Sequence, residues 1–137
     1  MTKIKYDINL MKFISLFESI SRAKVKDCFE EGEKLVFVVY QNEIAKAIGK
    51  NGANVKKISA LLKKPLKIVE FNDDVLGFVK NYILPLTGEV SKDGENVVIK
   101  APNAKTKGQL FGRERSNLAC LKEATKRYFV DIDIKIE

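Results

Sequence analysis

The hydrophobic positions of this chain change period several times, and each change marks the end of one element and the start of the next. Leu10, Phe13, Ile14, Phe17 and Ile20 recur at helical spacing, which predicts an amphipathic helix over residues 8–22 with one face on a core. Two strand-like runs follow, Ala23 to Glu30 and Lys34 to Tyr40, joined through Glu31 and Gly32 as a hairpin. A short helix opens near Asn42, carries Ile44, Ala47 and Ile48, and stops at Gly49. A second helix with Val55, Ile58, Leu61 and Leu62 begins a few residues later and ends before Pro65. Leu66 to Phe71 is apolar and β-branched enough for a closing strand, so the order is αββααβ.

From Asp73 the order recurs. Asp73 is a candidate N-cap, and Val75, Leu76, Val79, Tyr82 and Ile83 line one helical face that ends before Pro85. Residues 86–92 and 95–101 form the next strand pair, with Asp93-Gly94-Glu95 echoing Glu31-Gly32-Glu33. Placing Gly49 over Gly112 aligns Asn54 with Asn117, Val55 with Leu118 and Ile58 with Leu121 at a constant offset. Val130, Ile132, Ile134 and Ile136 alternate with Asp131, Asp133 and Lys135 as a last, half-buried strand. The expectation is an α+β chain of two tandem units, residues 1–71 and 72–137. No Gly/Ser/Pro-rich linker stands between Phe71 and Asp73, so rigid packing is expected. Two copies of a mixed unit are fewer than the roughly three that a solenoid needs.

Composition narrows the function. A hydrophobic fraction of 45% supports a core, and 25 Lys+Arg against 18 Asp+Glu give a net charge of +7, which favours a polyanionic partner. No apolar run approaches the roughly 20 residues that span a bilayer, the longest obvious one being Leu35 to Tyr40. Asp7 and Lys12 interrupt the N-terminal stretch and no small-residue cleavage site follows, so a cytoplasmic protein without a signal peptide is expected. The sequence has no histidine and no C-x-x-C pair, so the usual zinc sites cannot be assembled, and Cys28 and Cys120 read as small core residues. Without imidazole, and without G-x-x-x-x-G-K-[ST], neither catalysis nor a cofactor is expected.

The chemistry concentrates between the paired helices of the first unit, at Ile48-Gly49-Lys50-Asn51-Gly52 followed by Ala53-Asn54-Val55-Lys56-Lys57-Ile58. Gly49 can end a helix in a left-handed conformation, and Gly52 lets a phosphate approach the backbone closely. The next helix points free N–H groups outward, and Lys50 adds a positive charge. From Ile44 to Val69 there are seven lysines (46, 50, 56, 57, 63, 64 and 67) and no acidic residue.

Helix, G-K-N-G, helix and strand inside a duplicated αββααβ unit resemble the KH domain in its type II arrangement, whose loop clamps about four nucleotides of single-stranded RNA. The resemblance implies RNA contacts from Ile48, Gly49, Lys50, Asn51, Gly52, Asn54, Lys56 and Lys57. Ile48, Val55 and Ile68 are candidates either for an apolar floor under the bases or for the interior. In the second unit the loop reads Phe111-Gly112-Arg113-Glu114-Arg115, with arginine at the second glycine. Gly112, Arg113 and Arg115 are then an altered clamp, part of a structural unit, or a protein-binding surface. Lys105, Lys107, Lys122, Lys126 and Arg127 surround them.

Two such units, one loop intact and one degenerate, over residues 4–137 are similar to the short archaeal NusA-like transcription factors. That resemblance implies a factor in transcription termination or antitermination, with single-stranded RNA and RNA polymerase as partners, and a monomer is expected. Other readings are a factor in ribosome assembly or rRNA processing, and a protein-binding adaptor. KH domains also take single-stranded DNA.

Overall fold

The computed structural model describes residues 2–137, with side chains from residue 9 onward. Two compact units divide the chain, Met1–Phe71 and Asn72–Glu137, and each runs helix, strand, strand, helix, helix, strand. In the first unit α1 spans Thr2–Ser21, starting earlier than the apolar period indicates because no proline or glycine precedes residue 8 to stop it. Ser21 ends the helix: its hydroxyl donates to the Phe17 carbonyl (2.8 Å) and accepts the Ala23 N–H (3.1 Å). Glu18 then takes the Val25 N–H at 2.9 Å, steering the chain into the first strand.

Strand β1 (Val25–Glu31) pairs antiparallel with β2 (Lys34–Val39), and β2 pairs parallel with β3 (Leu66–Glu70), so β2 is central. All five residues from Leu35 to Val39 are buried, as expected of a central strand with an unbroken apolar run. Leu35, Phe37 and Val39 join Phe17, Cys28, Ala47 and Ile58 in one core, with the Phe17 and Phe37 rings stacked at 4.4 Å. Two helices fill the crossover between the parallel strands: α2 (Ile44–Ile48) and α3 (Ala53–Leu62).

The second unit opens with α4 (Val75–Ile83). Its N-cap is Asp74, one residue after the expected Asp73, because the extended Asp74 backbone lets its carboxylate accept the Leu76 N–H at 3.2 Å. Its buried face includes Phe78, which the sequence pattern passed over and which packs on Tyr82, Tyr128 and Phe129 with ring centroids 5.4–5.9 Å apart. Strands β4 (Glu89–Asp93) and β5 (Asn96–Lys100) pair antiparallel; after α5 (Ala104–Phe111) and α6 (Ser116–Lys126), β6 (Asp133–Ile136) adds parallel to β5. The last strand is shorter than its alternation predicts. Its partner starts at Asn96, opposite Asp133, so upstream residues have nothing to pair with; Asp131 turns left-handed (φ 54°) and Val130 is 84% exposed. Cys28 is buried and Cys120 half-buried, and they form no disulfide with each other.

Candidate functional site

Helix α2 ends at Gly49, whose N–H donates to the Ala45 carbonyl at 2.9 Å. Gly49 sits at φ 79°, ψ 171°, a region that glycine alone populates readily. A Cβ there would also lie 2.9 Å from the backbone nitrogen and the side chain of Asn54. A single 3-10 turn, Lys50–Gly52, follows, closed by the Gly52 N–H on the Gly49 carbonyl at 3.1 Å. Asn51 (φ 54°, ψ 30°) and Gly52 (φ 74°, ψ 18°) are both left-handed, and α3 starts at once with no side-chain cap on its first N–H groups. The Gly52 Cα faces open space, its nearest non-neighbouring atom being the Lys56 Cε, 3.9 Å from where a Cβ would stand.

The Asn54 Nδ2 donates to the Lys46 carbonyl at 2.8 Å, so this side chain is engaged inside the loop. Lys50, Asn51, Lys56 and Lys57 are exposed. Ile48 is 39% exposed beside them, whereas Ile68 packs against the core and Val55 is half-buried, so Ile48 is the apolar group best presented to a ligand.

The lysine-rich segment carries less free charge than its sequence suggests. Lys46 pairs with Glu43 (3.6 Å), Lys64 with Glu30 and Lys67 with Glu31 (both 3.9 Å), the carboxylates coming from outside the segment. The Lys24 backbone N–H donates to Glu43 at 2.7 Å; this bond, with help from Lys46, holds the Glu43 carboxyl below its ordinary range. Among the described residues, Lys50, Lys56, Lys57 and Lys63 pair with no carboxylate.

The second loop repeats this backbone despite its different sequence. Gly112 lies at φ 73°, ψ 173°, with its N–H on the Gly108 carbonyl at 2.9 Å. The Arg113–Arg115 turn closes with the Arg115 N–H on the Gly112 carbonyl at 3.1 Å, with Glu114 (φ 55°, ψ 29°) and Arg115 (φ 62°, ψ 22°) left-handed. Asn117 Nδ2 donates to the Gln109 carbonyl at 2.9 Å, the counterpart of the Asn54 bond. Arg113, Glu114 and Arg115 are exposed, and the Arg115 guanidinium lies 5.4 Å from the Phe111 ring. Gly108 lies inside α5, and Lys105, Lys107, Lys126 and Arg127 are exposed. Lys122 pairs with Asp133 at 3.3 Å; the Ile134 N–H first, and then Lys122, keep that carboxyl below its ordinary range.

Sequence reasoning aligned the two asparagines but did not see what they do. The signal was the shared position, five residues after each first glycine. Among the described residues no group of carboxylates and cysteines could hold a metal ion, and no helix is long and apolar enough to cross a membrane.

Two mixed units, each with helices flanking a tight loop built on a glycine at positive φ, define the class of KH-domain proteins. The profile of the family described as "KH domain" matches residues 13–80. Three archaeal proteins described as "Probable transcription termination protein NusA" align along most of the chain. The one from Methanocaldococcus jannaschii is 30% identical over 141 residues, covering 99% of this chain and 76% of its own length. That from Halobacterium salinarum is 30% identical, covering 89% of each, and that from Thermoplasma acidophilum is 26% identical, covering 94% and 92%. The crystal structure of APE1850 is similar over 95% of this chain and 99% of its own, with a TM-score of 0.75 at 26% identity. The chain belongs to the archaeal NusA family.

Proposed function

We propose that this protein binds single-stranded RNA by clamping the sugar-phosphate backbone at Gly49–Gly52, and that it acts as a binding factor, not a catalyst, in transcription termination or antitermination. The observation that carries the reading is the turn itself. It combines a left-handed Asn51-Gly52 pair, an uncapped N-terminus of α3 and open space at Gly52, with Lys50, Lys56 and Lys57 free of carboxylates. A helix N-terminus favours an anion, and a site without side-chain bulk lets phosphate oxygens reach the backbone. Ile48 offers apolar contact to a neighbouring base.

The second loop works as an altered clamp, in which Arg113 and Arg115 grip phosphate with guanidinium forks over the same backbone frame. The names of the archaeal relatives support a nascent transcript as the RNA, and RNA polymerase is the protein partner that this reading implies.

The test is a titration against a randomised pool of short single-stranded RNAs at two salt concentrations. Lys50→Asp/Asn51→Asp should abolish binding with the fold intact, and Arg113→Asp/Arg115→Asp should weaken it. Binding that survives both pairs and only fades with salt would replace the clamp with diffuse phosphate contact.

A further inference from the structure

The two loops are an internal comparison made by one chain. They differ at all three positions of the turn, Lys50-Asn51-Gly52 against Arg113-Glu114-Arg115, yet the backbone angles of the first glycine, of the turn's second and third residues and of the residue that opens the next helix agree within about 12°. In the second loop two ordinary residues, Glu114 and Arg115, stand in a left-handed conformation that side chains disfavour. Such a conformation persists only where its surroundings over-determine it. What the loops share besides the first glycine is the asparagine five residues after it. Asn54 and Asn117 each reach back over the turn to a carbonyl eight residues earlier, at 2.8 and 2.9 Å. Those carbonyls, of Lys46 and Gln109, lie in the last turns of α2 and α5, where helix geometry leaves C=O groups without intrahelical partners. Each asparagine also packs against its glycine so closely that a Cβ at Gly49 or Gly112 would fall 2.9 or 2.5 Å from its side chain.

We propose that Asn54 and Asn117 are positioning residues: each latches the helix before the loop to the helix after it and so presets the phosphate cradle before any ligand arrives. For Asn54 this rests on the RNA-binding reading above, and it moves the residue from the contact surface into the frame behind it. A loop that must be found in the right shape binds in proportion to the fraction of time it spends there. The latch raises that fraction, so its loss costs affinity without removing any group that touches RNA.

The test compares the full-length wild type with Asn54→Ala, Asn54→Ser and Asn117→Ala, by amide hydrogen exchange and 15N shifts in the free protein and by affinity for the randomised RNA pool. For both Asn54 variants, the Lys50 to Gly52 amides should exchange faster while core-strand amides in β2 keep their protection, and affinity should fall about tenfold, as expected if the competent loop drops to about a tenth of the population. Asn117→Ala should loosen Arg113 to Arg115 alone. Unchanged loop amides with lost binding would make Asn54 a direct contact and overturn the latch. Faster loop amides with unchanged binding would equally overturn the claim that the latch presets the cradle. If only the alanine variant unfolds, the serine variant decides. If the wild type itself ignores the RNA pool, the RNA-binding reading fails, and the exchange at the two loops still decides whether the asparagines hold them.

Discussion

At the scale of single residues the loop separates two glycines that a G-x-x-G string treats as equals. Gly49 combines a conformation open to glycine with a position where a Cβ would strike Asn54, whereas Gly52 is left-handed but faces open space. The second loop agrees: it keeps Gly112 and places Arg115 where the first has Gly52. Gly49→Ala should therefore cost about 1–3 kcal/mol in backbone strain before the clash is counted, and lower both the melting temperature and RNA affinity. Gly52→Ala should cost about 1 kcal/mol, and chiefly weaken binding, because the added methyl stands where a phosphate would come. Calorimetry on the two variants checks the order, and equal losses of stability would contradict it. The sequence made the loop legible because glycine and lysine are conspicuous. It hid the difference between the glycines because that depends on Asn54, whose reach across the turn appears only once both helices are placed.

At the scale of elements most of the chain is legible from periodicity, since Phe17, Ala47, Ile58 and Val79 all fall on the faces their spacing assigns and all are buried. The misreadings occur where an element's end is set by something outside itself. Alternation carries on through Val130 and Ile132, but the β5 partner gives out at Asn96 and the strand stops there. Likewise two aspartates compete to cap α4, and only the backbone angle of Asp74 lets its carboxylate meet the Leu76 N–H. Asp74→Ala should cost about 1 kcal/mol. That loss should read as a fall of about 4 °C in melting temperature. Asp73→Ala, at an exposed position with no cap bond, should leave melting within error.

At the scale of the whole molecule, the count of 25 lysines and arginines overstates what a ligand meets at the loops, because Lys46, Lys64, Lys67 and Lys122 already face carboxylates. The cations left at the first loop and the opening of α3 are Lys50, Lys56 and Lys57, and the second loop adds Arg113 and Arg115. On single strands, log K falls against log salt with a slope of about −0.7 for each phosphate neutralised. Two engaged loops then predict about −3.5 for the wild type, and about −2 once Arg113→Asp/Arg115→Asp has removed the second loop. A protein that held RNA by its overall charge would give about −5 for the wild type and also fall to about −2 in the variant, whose four-unit loss of charge leaves +3, so the wild-type slope is what separates the two. Fluorescence anisotropy of a labelled single strand across a salt series measures both slopes. A wild-type value near −2 that the arginine variant does not change would confine RNA to the first loop and leave the second as a structural copy of its frame.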